Sequence, residues 1–267
     1  MVRIAVAGAM GRMGSRITAL SREYEEIELA GVFEKKGHKG IGKDIGVLVG
    51  FGEMGIILED DLGKVIDKAD VLIDFTHTSS TLEHLRLASS KGKAMVIGTT
   101  GFTSDEIREI ETLAKNIPCV LSPNMSVGIN LLLKVIREIA IVLGDDYDIE
   151  IIEAHHRLKK DAPSGTAMKM AQVLASALKR DLNDVAVYAR RGMIGERTKK
   201  EIGIQTIRAG DIVGEHTILF GGLGERIEIT HKASSRDTFA RGALRAALWV
   251  HGKVPGLYDM QDVLGLR

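Results

Sequence analysis

Residues 6–14 form a glycine-rich run, Val6-Ala7-Gly8-Ala9-Met10-Gly11-Arg12-Met13-Gly14. It follows an apolar run, Val2–Ala7, typical of a buried strand, and leads into a helical pattern over residues 12–21. Glycines at such a turn let the backbone approach a pyrophosphate, whose charge is favoured at a helix N-terminus. The pattern Gly-x-x-Gly-x-x-Gly is a variant of the common dinucleotide fingerprint. We therefore predict a dinucleotide site; the alternative is that these glycines only pack helix against strand.

A carboxylate after the second apolar run indicates how the cofactor is held. Ile27–Phe33 is typical of a strand, and Glu34 follows it directly. Glu34 lies 26 residues after Gly8, and the acidic residue of the dinucleotide fingerprint lies about 20 residues after the glycines. A carboxylate there accepts hydrogen bonds from both ribose hydroxyls, as in NADH binding. Arg12, Lys35 and Lys36 carry charges that suit the 2′-phosphate of NADPH, although both lysines also fit a solvated loop. We expect NADH, NADPH or both.

Strands and helices alternate through the rest of the first half. After a glycine-rich loop at residues 34–55, the sequence predicts strands at 71–75, Ala94–Ile97 and 120–121, with helices at 79–91 and 103–116. Thr103 and Glu106 form a capping box at the start of the last helix. This alternation is typical of an α/β fold with a doubly wound, parallel sheet of the Rossmann type. Gly98-Thr99-Thr100-Gly101 falls at a strand's carboxyl end, where such sheets bind ligands, unless it is a plain turn.

The pattern changes near Ser126. The sequence predicts a long helix at Val127–Leu143, a strand at Asp148–His155 and a helix at 164–178. Residues 185–232 are rich in strands, with candidates at 204–207, 212–220 and 226–230, and residues 238–252 are helical again. This second region is expected to form a smaller α+β domain with a mixed sheet.

The composition is that of an ordinary globular protein. The 267 residues are enough for two small domains, and 36 Lys and Arg balance 36 Asp and Glu. The balance argues against broad nucleic-acid binding and against a membrane-surface protein, because both need excess positive charge. The apolar stretch at residues 2–8 is short for a signal peptide, so we expect none, and no run of about 18 uncharged apolar residues occurs. The single cysteine, Cys119, lies in an apolar run typical of a buried thiol. We expect a cytoplasmic protein without nucleic-acid or membrane partners.

The stretch richest in chemistry is Glu153-Ala154-His155-His156-Arg157-Leu158-Lys159-Lys160-Asp161-Ala162-Pro163-Ser164-Gly165-Thr166. A strand delivers two histidines to its end, and imidazole exchanges protons near neutral pH. The amides of Gly165 and Thr166 open a helix and suit a carboxylate, while Lys159 and Lys160 add positive charge. Together these residues predict a site for a small anionic substrate beside a proton donor.

Each of these features also has a plainer interpretation. Adjacent histidines on a strand face opposite sides, so one of the pair is placed to serve packing alone. Lys159 and Lys160 also fit a solvated loop. A zinc site would have to recruit Glu153 or His231, but no ligand spacing stands out, so we expect no metal.

This stretch and the glycine-rich opening closely resemble the dihydrodipicolinate reductase family of bacterial lysine and diaminopimelate synthesis. The resemblance runs nearly end to end, and the signature His-His-Arg-x-Lys-x-Asp-Ala-Pro-Ser-Gly-Thr is highly specific. The other matching segments are Ile73-Asp74-Phe75-Thr76, Val96-Ile97-Gly98-Thr99-Thr100-Gly101-Phe102, Pro123-Asn124-Met125-Ser126-Val127-Gly128, Arg208-Ala209-Gly210-Asp211-Ile212-Val213-Gly214-Glu215-His216 and His231-Lys232-Ala233-Ser234-Ser235-Arg236.

The resemblance implies a domain division, a reaction and an assembly. Residues 1–126 and 236–267 correspond to the dinucleotide-binding domain, and residues 127–235 to the substrate-binding and oligomerisation domain of a homotetramer. The implied reaction is the NAD(P)H-dependent reduction of 4-hydroxy-tetrahydrodipicolinate (dihydrodipicolinate) to tetrahydrodipicolinate. Hydride goes to C4 of this cyclic dicarboxylate and a proton to C3.

The resemblance also implies residue roles. His155 corresponds to the proton donor, Lys159 to the second catalytic residue and His156 to a substrate contact. Gly165 and Thr166 correspond to a backbone clamp on a substrate carboxylate. Three groups of residues correspond to cofactor positions. The pyrophosphate turn comprises Gly8, Ala9, Met10, Gly11, Arg12 and Met13, and the ribose ligand and its neighbour are Glu34 and Lys35. The two loops around the nicotinamide comprise Gly98, Thr99, Thr100, Ser122, Pro123, Asn124 and Met125.

Two rival functions are weaker. A reductase acting on an amino-acid semialdehyde would use a similar frame but gives no reason for Pro-Ser-Gly-Thr beside paired histidines. A redox sensor that binds a dinucleotide and regulates transcription needs a DNA-reading helix or a basic patch, and the sequence offers neither.

Overall fold

A computed structural model describes residues 1–267. Its strands are β1 (Val2–Ala7), β2 (Ile27–Phe33), β3 (Leu58–Glu59), β4 (Val71–Asp74), β5 (Ala94–Ile97), β6 (Pro118–Leu121), β7 (Asp148–His155), β8 (Ala186–Val187), β9 (Ile202–Arg208), β10 (Gly214–Gly221), β11 (Arg226–Ala233) and β12 (Gly256–Tyr258). Its helices are α1 (Gly14–Ser21), α2 (Ile45–Val49), α3 (Thr78–Ser90), α4 (Ser104–Leu113), α5 (Val127–Leu143), α6 (Gly165–Ala177), α7 (Leu182–Val185), α8 (Asp237–Val250) and α9 (Met260–Leu264). The chain divides into two compact units, Met1–Val127 with Arg236–Arg267, and Gly128–Ser235.

The first unit is built on seven parallel strands in the order β3-β2-β1-β4-β5-β6-β12. This arrangement confirms the predicted Rossmann-type sheet. The strand order runs one way from β1 to β3 and the other way from β4 to β12, so it reverses between β1 and β4. In open sheets of this kind, ligands bind outside the carboxyl ends of the strands at the reversal.

Apolar residues lie on both faces of this sheet, as is usual for parallel strands. In β1, Ile4 packs on one face with Ile17 of α1 and Leu244 of α8, and Ala5 packs on the other face with Leu85 of α3. All five are fully buried. Helix α8 therefore belongs to the core of the first unit, although it follows the second unit in the chain.

Cys119 lies in β6 and is fully buried in the same core. Burial raises the pKa of its thiol to about 12. A thiol with such a pKa supplies almost no thiolate near neutral pH, so the prediction of a buried structural thiol is confirmed.

The second unit carries a five-stranded sheet in the order β11-β10-β7-β9-β8. Strands β7, β9 and β8 are parallel, whereas β10 and β11 are antiparallel to their neighbours, which confirms the predicted mixed sheet. On one face, Ile151 of β7 and Phe220 of β10 pack with Ile136 of α5 and Leu174 of α6. The carboxyl ends of β7 and β9, the start of β10 and the start of α6 meet at one edge of this sheet.

Some helix ends differ from the predicted ones. Helix α1 begins at Gly14 rather than at residue 12, because the preceding residues form a turn closed by a 2.8 Å hydrogen bond from Gly11 N to the Gly8 carbonyl. Helix α4 ends at Leu113, and its predicted capping box between Thr103 and Glu106 is confirmed. No helix combines the length and the apolar character needed to cross a membrane.

Candidate active site

Polar side chains extend the buried face of β7 at its carboxyl end. Ile149 and Ile151 point into the core of the second unit. Because side chains on a strand alternate, Glu153 and His155 follow on the same face. Glu153 is fully buried and His155 is 9% exposed. A carboxylate and an imidazole therefore lie side by side where the apolar core ends.

Glu153 accepts hydrogen bonds through both carboxylate oxygens. Its Oε2 lies 2.5 Å from Nδ1 of His155 and 2.8 Å from Nη1 of Arg208. Its Oε1 accepts from Nη2 of Arg208 at 2.8 Å, from the backbone N–H of Ser164 at 3.0 Å and from Oγ1 of Thr206 at 3.2 Å. Arg208 ends β9, and the parallel register places it beside His155. The buried carboxylate is thus fully paired.

Burial and pairing set the protonation states of this pair. Burial by itself would raise the pKa of Glu153, but hydrogen bonds from Arg208 and His155 outweigh it and lower that pKa to about 2. Burial lowers the pKa of His155, and the neighbouring Glu153 carboxylate offsets only part of this effect. Glu153 is therefore ionised at neutral pH, and the His155 imidazolium loses its proton more readily than a free imidazolium does.

A second buried imidazole, His216, lies at the same edge of the sheet. It is on β10 opposite Glu153, and its ring centroid is 5.3 Å from that of His155. Its Nε2 lies 3.1 Å from Oγ of Ser164, while its Nδ1 is buried without a hydrogen-bond partner. Burial lowers the pKa of His216 to about 4, so this ring is neutral at neutral pH. His216 therefore holds Ser164 in place without adding charge.

The start of α6 combines a capped helix end with open space. Ser164 is the N-cap residue, and its Oγ accepts from the Ala167 N–H at 3.2 Å. Gly165 begins the helix, and a Cβ built there would meet no protein atom within 4 Å. Packing within the chain therefore does not require a glycine here. An anionic ligand approaching the backbone amides of Gly165 and Thr166 would require one.

The loop after β7 places Lys159 and His156 next to His155. The Lys159 N–H donates to the His156 carbonyl at 3.1 Å, which closes a tight turn. Nζ of Lys159 pairs with Asp161 at 2.9 Å, and this contact lowers the pKa of Asp161 against the opposing effect of burial. Nδ1 of His156 is buried without a hydrogen-bond partner. The predicted catalytic and substrate residues are therefore together in one unit.

The turn after β1 is packed so closely that its first and last glycines, Gly8 and Gly14, have no room for a side chain. Gly8 has φ +59°, and a Cβ built there would come within 2.9 Å of Thr76. A Cβ on Gly14 would lie 2.1 Å from the Gly8 carbonyl oxygen. The amides of Arg12 and Met13 donate no hydrogen bond within the chain. A close-packed turn with free amides before a helix fits a pyrophosphate.

Glu34 lies across this turn. Its Oε2 accepts from the Met10 N–H at 3.3 Å, and its Oε1 accepts from the Lys35 N–H at 3.0 Å. The Ala9 N–H donates to the Phe33 carbonyl at 3.2 Å, which holds the turn against the end of β2. The carboxylate is placed to reach a ribose beside the pyrophosphate, so the residues present fit a nicotinamide dinucleotide.

Asp74 ties together the loops that follow β4 and β5. It is fully buried and accepts from the Thr76 N–H at 2.8 Å, from Oγ1 of Thr81 at 3.1 Å and from Nδ1 of His84 at 2.6 Å. The hydroxyl of Thr99 lies 2.8 Å from that of Thr81. This network orders the carboxyl edge of the sheet where the nicotinamide ring is expected.

The two predicted nicotinamide loops follow β5 and β6. A Cβ on Gly98 would lie 2.1 Å from the Phe75 ring, so packing within the chain already explains this glycine. Oγ of Ser122 donates to the Asn124 carbonyl at 2.9 Å. Met125 is 1% exposed and belongs to the core of the first unit, so only its backbone is available to a ligand. The exposed residues of these loops are Thr100 and Pro123.

Arg208, His216 and Asp74 lie in segments that match the family, but the sequence assigned them no role in the candidate site. The available signal is a polar residue at an inward position of a strand, since Glu153, His216 and Asp74 all occupy buried positions. Glu153 was a candidate zinc ligand, but its carboxylate is occupied by Arg208 and His155. No three His, Cys, Asp or Glu side chains are arranged to hold a metal ion.

A Rossmann-type sheet with a glycine turn and a second unit with a histidine and lysine site together define a dinucleotide-dependent reductase class. Models of the N-terminus and C-terminus of dihydrodipicolinate reductase match residues 2–125 and 128–264. The chain belongs to the dihydrodipicolinate reductase family.

Individual relatives agree with this family. The chain is 60% identical to the 4-hydroxy-tetrahydrodipicolinate reductase of Syntrophobacter fumaroxidans and 57% identical to that of Syntrophus aciditrophicus, over 100% of each chain. Among solved structures, the dipicolinate-bound dihydrodipicolinate reductase of Paenisporosarcina sp. TG-14 superposes with a TM-score of 0.76 at 27% identity, covering 98% of both chains. The amine dehydrogenase of Mycobacterium smegmatis, at 14% identity and a TM-score of 0.59, shares the fold alone.

Proposed function

We infer that this chain catalyses the reaction for which its relatives are named, the NAD(P)H-dependent reduction of 4-hydroxy-tetrahydrodipicolinate in diaminopimelate and lysine biosynthesis. The observation that carries this inference is the grouping of His155, His156, Lys159 and Gly165 at one edge of the second unit's sheet. A dicarboxylate suits this group, because the group offers cations, an imidazole and the N-terminus of a helix. The solved relative with bound dipicolinate supports the same substrate class.

The first unit has the features needed to hold the cofactor. When bound, the reduced nicotinamide supplies the hydride that goes to C4 of the substrate ring. The free amides of Arg12 and Met13, in the turn from Gly8 to Met13, would bind the pyrophosphate, and Glu34 would accept from the ribose, while Arg12 and Lys35 offer positive charge to a 2′-phosphate. Backbone groups of the loops at 98–100 and 122–125 would contact the nicotinamide. Both NADH and NADPH are expected to serve.

His155 donates the proton that completes the reduction. The 4-hydroxyl group must first leave with a C3 hydrogen as water, which gives the conjugated double bond of dihydrodipicolinate. Hydride added at C4 then pushes an electron pair toward the ring nitrogen and leaves an enamine, whose C3 takes a proton to give tetrahydrodipicolinate. Imidazolium is a suitable donor because its pKa lies near the working pH. The pKa of His155 is lowered in the free protein by burial. Two substrate carboxylates would raise it again, so the ring would gain its second proton as substrate binds.

Lys159, His156, Gly165 and Thr166 hold the dicarboxylate. Lys159 is expected to release Asp161 and to stabilise negative charge on the substrate during proton transfer. His156 contacts the ring or a carboxylate, and the amides of Gly165 and Thr166 clamp the second carboxylate. The arrangement thus fixes both ends of the substrate beside one proton donor.

A coupled assay tests this function. The substrate is generated in situ from pyruvate and aspartate semialdehyde with the preceding synthase, and nicotinamide absorbance is followed with NADH and with NADPH in turn. We expect oxidation of both cofactors that depends on the synthase and on this chain. Binding of cofactor seen by nicotinamide fluorescence, without oxidation of either cofactor on adding substrate, would overturn the proposal and favour a sensor.

The working form is expected to be a homotetramer in the cytoplasm, assembled through the second unit. Ile207 lies on the sheet face opposite the helices and is 47% exposed. Ile152 lies on the same face of the neighbouring strand β7, because it is two residues before Ala154, which pairs with Ile207. A partly apolar sheet face of this kind is typical of a surface between subunits.

A further inference from the structure

We propose that Glu153 is a positioning residue, which fixes the tautomer and direction of the proton donor His155 and at the same time holds the start of the substrate-binding helix α6. The proposal rests on the proposed role of His155 as proton donor. Nothing in the family signature from His155 to Thr166 includes Glu153, which lies two residues before it. The geometry nevertheless joins Glu153 to both ends of that signature.

The two carboxylate oxygens of Glu153 serve different partners. Oε1 takes three donors, from Ser164, Thr206 and Arg208, and Oε2 takes His155 Nδ1 and the second Arg208 nitrogen. An ionised carboxylate is only an acceptor, so Nδ1 of His155 must carry a hydrogen. The neutral ring is therefore the Nδ1–H tautomer, and the transferable proton of the imidazolium is on Nε2.

Nε2 of His155 faces a space that the sequence leaves open. A Cβ built on Gly214 would lie 3.1 Å from this nitrogen, closer than ordinary van der Waals contact. A side chain at Gly214 would crowd the nitrogen that carries the transferable proton. Glu153 therefore holds Nδ1, and the lack of a side chain at Gly214 leaves Nε2 uncrowded.

The charges around His155 come from several elements. Glu153 on β7 favours the imidazolium, whereas Lys159 in the following loop and Arg208 on β9 oppose it. His216 on β10 is the remaining titratable group in ring contact, and it is neutral near pH 7. Glu153 is therefore the one neighbour among these that stabilises the protonated form of His155, so its charge is needed whenever the ring must donate.

The substitution Glu153→Gln separates the orientation of His155 from the anchoring of α6. The amide oxygen is expected at the Oε1 position, because three donors converge there, and this leaves the amide NH2 facing His155 and Nη1 of Arg208, whose second contact is lost. That NH2 donates to Nδ1, so the neutral ring switches to the Nε2–H tautomer, and an imidazolium would place two N–H groups against each other. The variant keeps the contact with Ser164 but loses the protonated donor, as a carboxylate-to-amide change does in hydrolytic triads.

The test compares Glu153→Gln with Glu150→Gln in the coupled reductase assay across pH. Glu150 is a matched control, since it lies on the same strand and accepts two hydrogen bonds from Arg190 at 2.7 and 3.0 Å without contacting His155. We expect Glu153→Gln to lower kcat about 100-fold or more, the scale of a lost general acid, with KM changed by less than about threefold. The pH at which kcat/KM falls should move down by about one unit or more, because the imidazolium is no longer stabilised. Glu150→Gln should change none of these.

Two results would overturn the proposal. One is a folded Glu153→Gln variant, with wild-type cofactor affinity, that keeps wild-type kcat and pH profile. The other is an equal loss in both variants, since that would mean only a lost structural ion pair. Glu153→Asp keeps the charge but shortens the reach, and it should retain more activity than Glu153→Gln at every pH.

A measurement on the wild-type protein keeps the proposal testable even if the variants fail to fold. Nitrogen-15 NMR of histidine rings reports the tautomer directly, and the His155 signals are assigned by their loss in His155→Ala. We expect Nδ1–H for His155, and an Nε2–H ring would overturn the proposal. This readout needs no substrate. It therefore separates failure of the Glu153 assignment from failure of the proposed function, which would show as wild-type turnover in His155→Ala.

Discussion

Gly165 has no neighbour within the chain that requires a glycine. A Cβ at this position meets nothing within 4 Å, and the residue opens α6 with ordinary helical geometry. Gly14, by contrast, would place a Cβ 2.1 Å from the Gly8 carbonyl oxygen. A glycine that packing does not explain points to the approach of a ligand, whereas Gly14 is explained by the turn itself.

Gly165→Ala should therefore weaken substrate binding without weakening the fold. We expect KM for the dicarboxylate to rise about tenfold or more, which corresponds to about 1.4 kcal/mol of lost binding. The thermal unfolding midpoint should stay unchanged or rise slightly, because alanine reduces the freedom of the unfolded chain. Steady-state kinetics and a thermal melt decide the matter. An unchanged KM would remove Gly165 from the substrate site.

Lys159 is expected to act on the substrate and not on the cofactor. Its ammonium pairs with Asp161 at 2.9 Å and lies in the loop directly after His155. Lys159→Ala should lower kcat and raise KM for the dicarboxylate, because a positive charge beside the substrate is lost. It should leave NADH affinity unchanged, because Lys159 and the glycine turn lie in different units. Fluorescence titration with NADH checks this, and weaker cofactor binding would show that the lysine has been misplaced.

Strands and helices with long apolar runs could be predicted from the sequence, whereas the strands of two or three residues could not. The bounds of β1, β2, β5, β7 and α5 match the predicted ones, since burial on both faces or on one helix stripe leaves a clear pattern. Strand β12 has three residues, and it exists because it pairs with β6 far away in the sequence. No local pattern identifies such a strand, nor the two residues of β8.

Strand register also explains which part of the candidate site could be predicted. His155, Lys159 and Gly165 lie within one short stretch, so their motif is visible in the sequence. Arg208 and His216 reach the site only because β9 and β10 pair with β7 in a register that sets Arg208 beside His155 and His216 beside Glu153. That register depends on packing across the sheet, which a single sequence does not display.

The buried imidazole on β10 predicts how the second unit responds to acid. The pKa of His216 is lowered from 6.5 to about 4 in the folded chain. The unfolded chain therefore binds more protons as pH falls below 6.5, and stability is lost between pH 6.5 and about 4. His216→Gln should reduce this loss, measured as the urea midpoint followed by circular dichroism at several pH values. His251→Gln, at an exposed histidine, is the matched control for the loss of an imidazole that is not buried. An identical pH dependence in wild type and His216→Gln would contradict the assignment.

For the whole molecule, the uncovered sheet face predicts association of subunits. Light scattering after size-exclusion chromatography should give the mass of a tetramer, four times the 29.0 kDa of one chain. Ile207→Lys places a charge on the exposed face and should shift the protein to smaller species without unfolding it, because Ile207 lies outside the core. A tetramer that survives this change would show that the contact surface lies elsewhere.

The balanced charge of the molecule conceals a local separation that matters for function. The 36 basic residues equal the 36 acidic ones, yet Lys159 and Arg208 gather around His155 while Glu153 supplies the compensating buried charge. The zero sum argues against a general polyanion binder and is compatible with the dicarboxylate site proposed here.

The role of His155 as the proton donor is tested by comparing wild type with His155→Ala in the coupled reductase assay. A folded His155→Ala protein that binds NADH with wild-type affinity should turn over more slowly by on the order of 10²- to 10⁴-fold, the usual contribution of a general acid. Turnover at the wild-type rate in that protein would contradict the assignment of His155 as the proton donor.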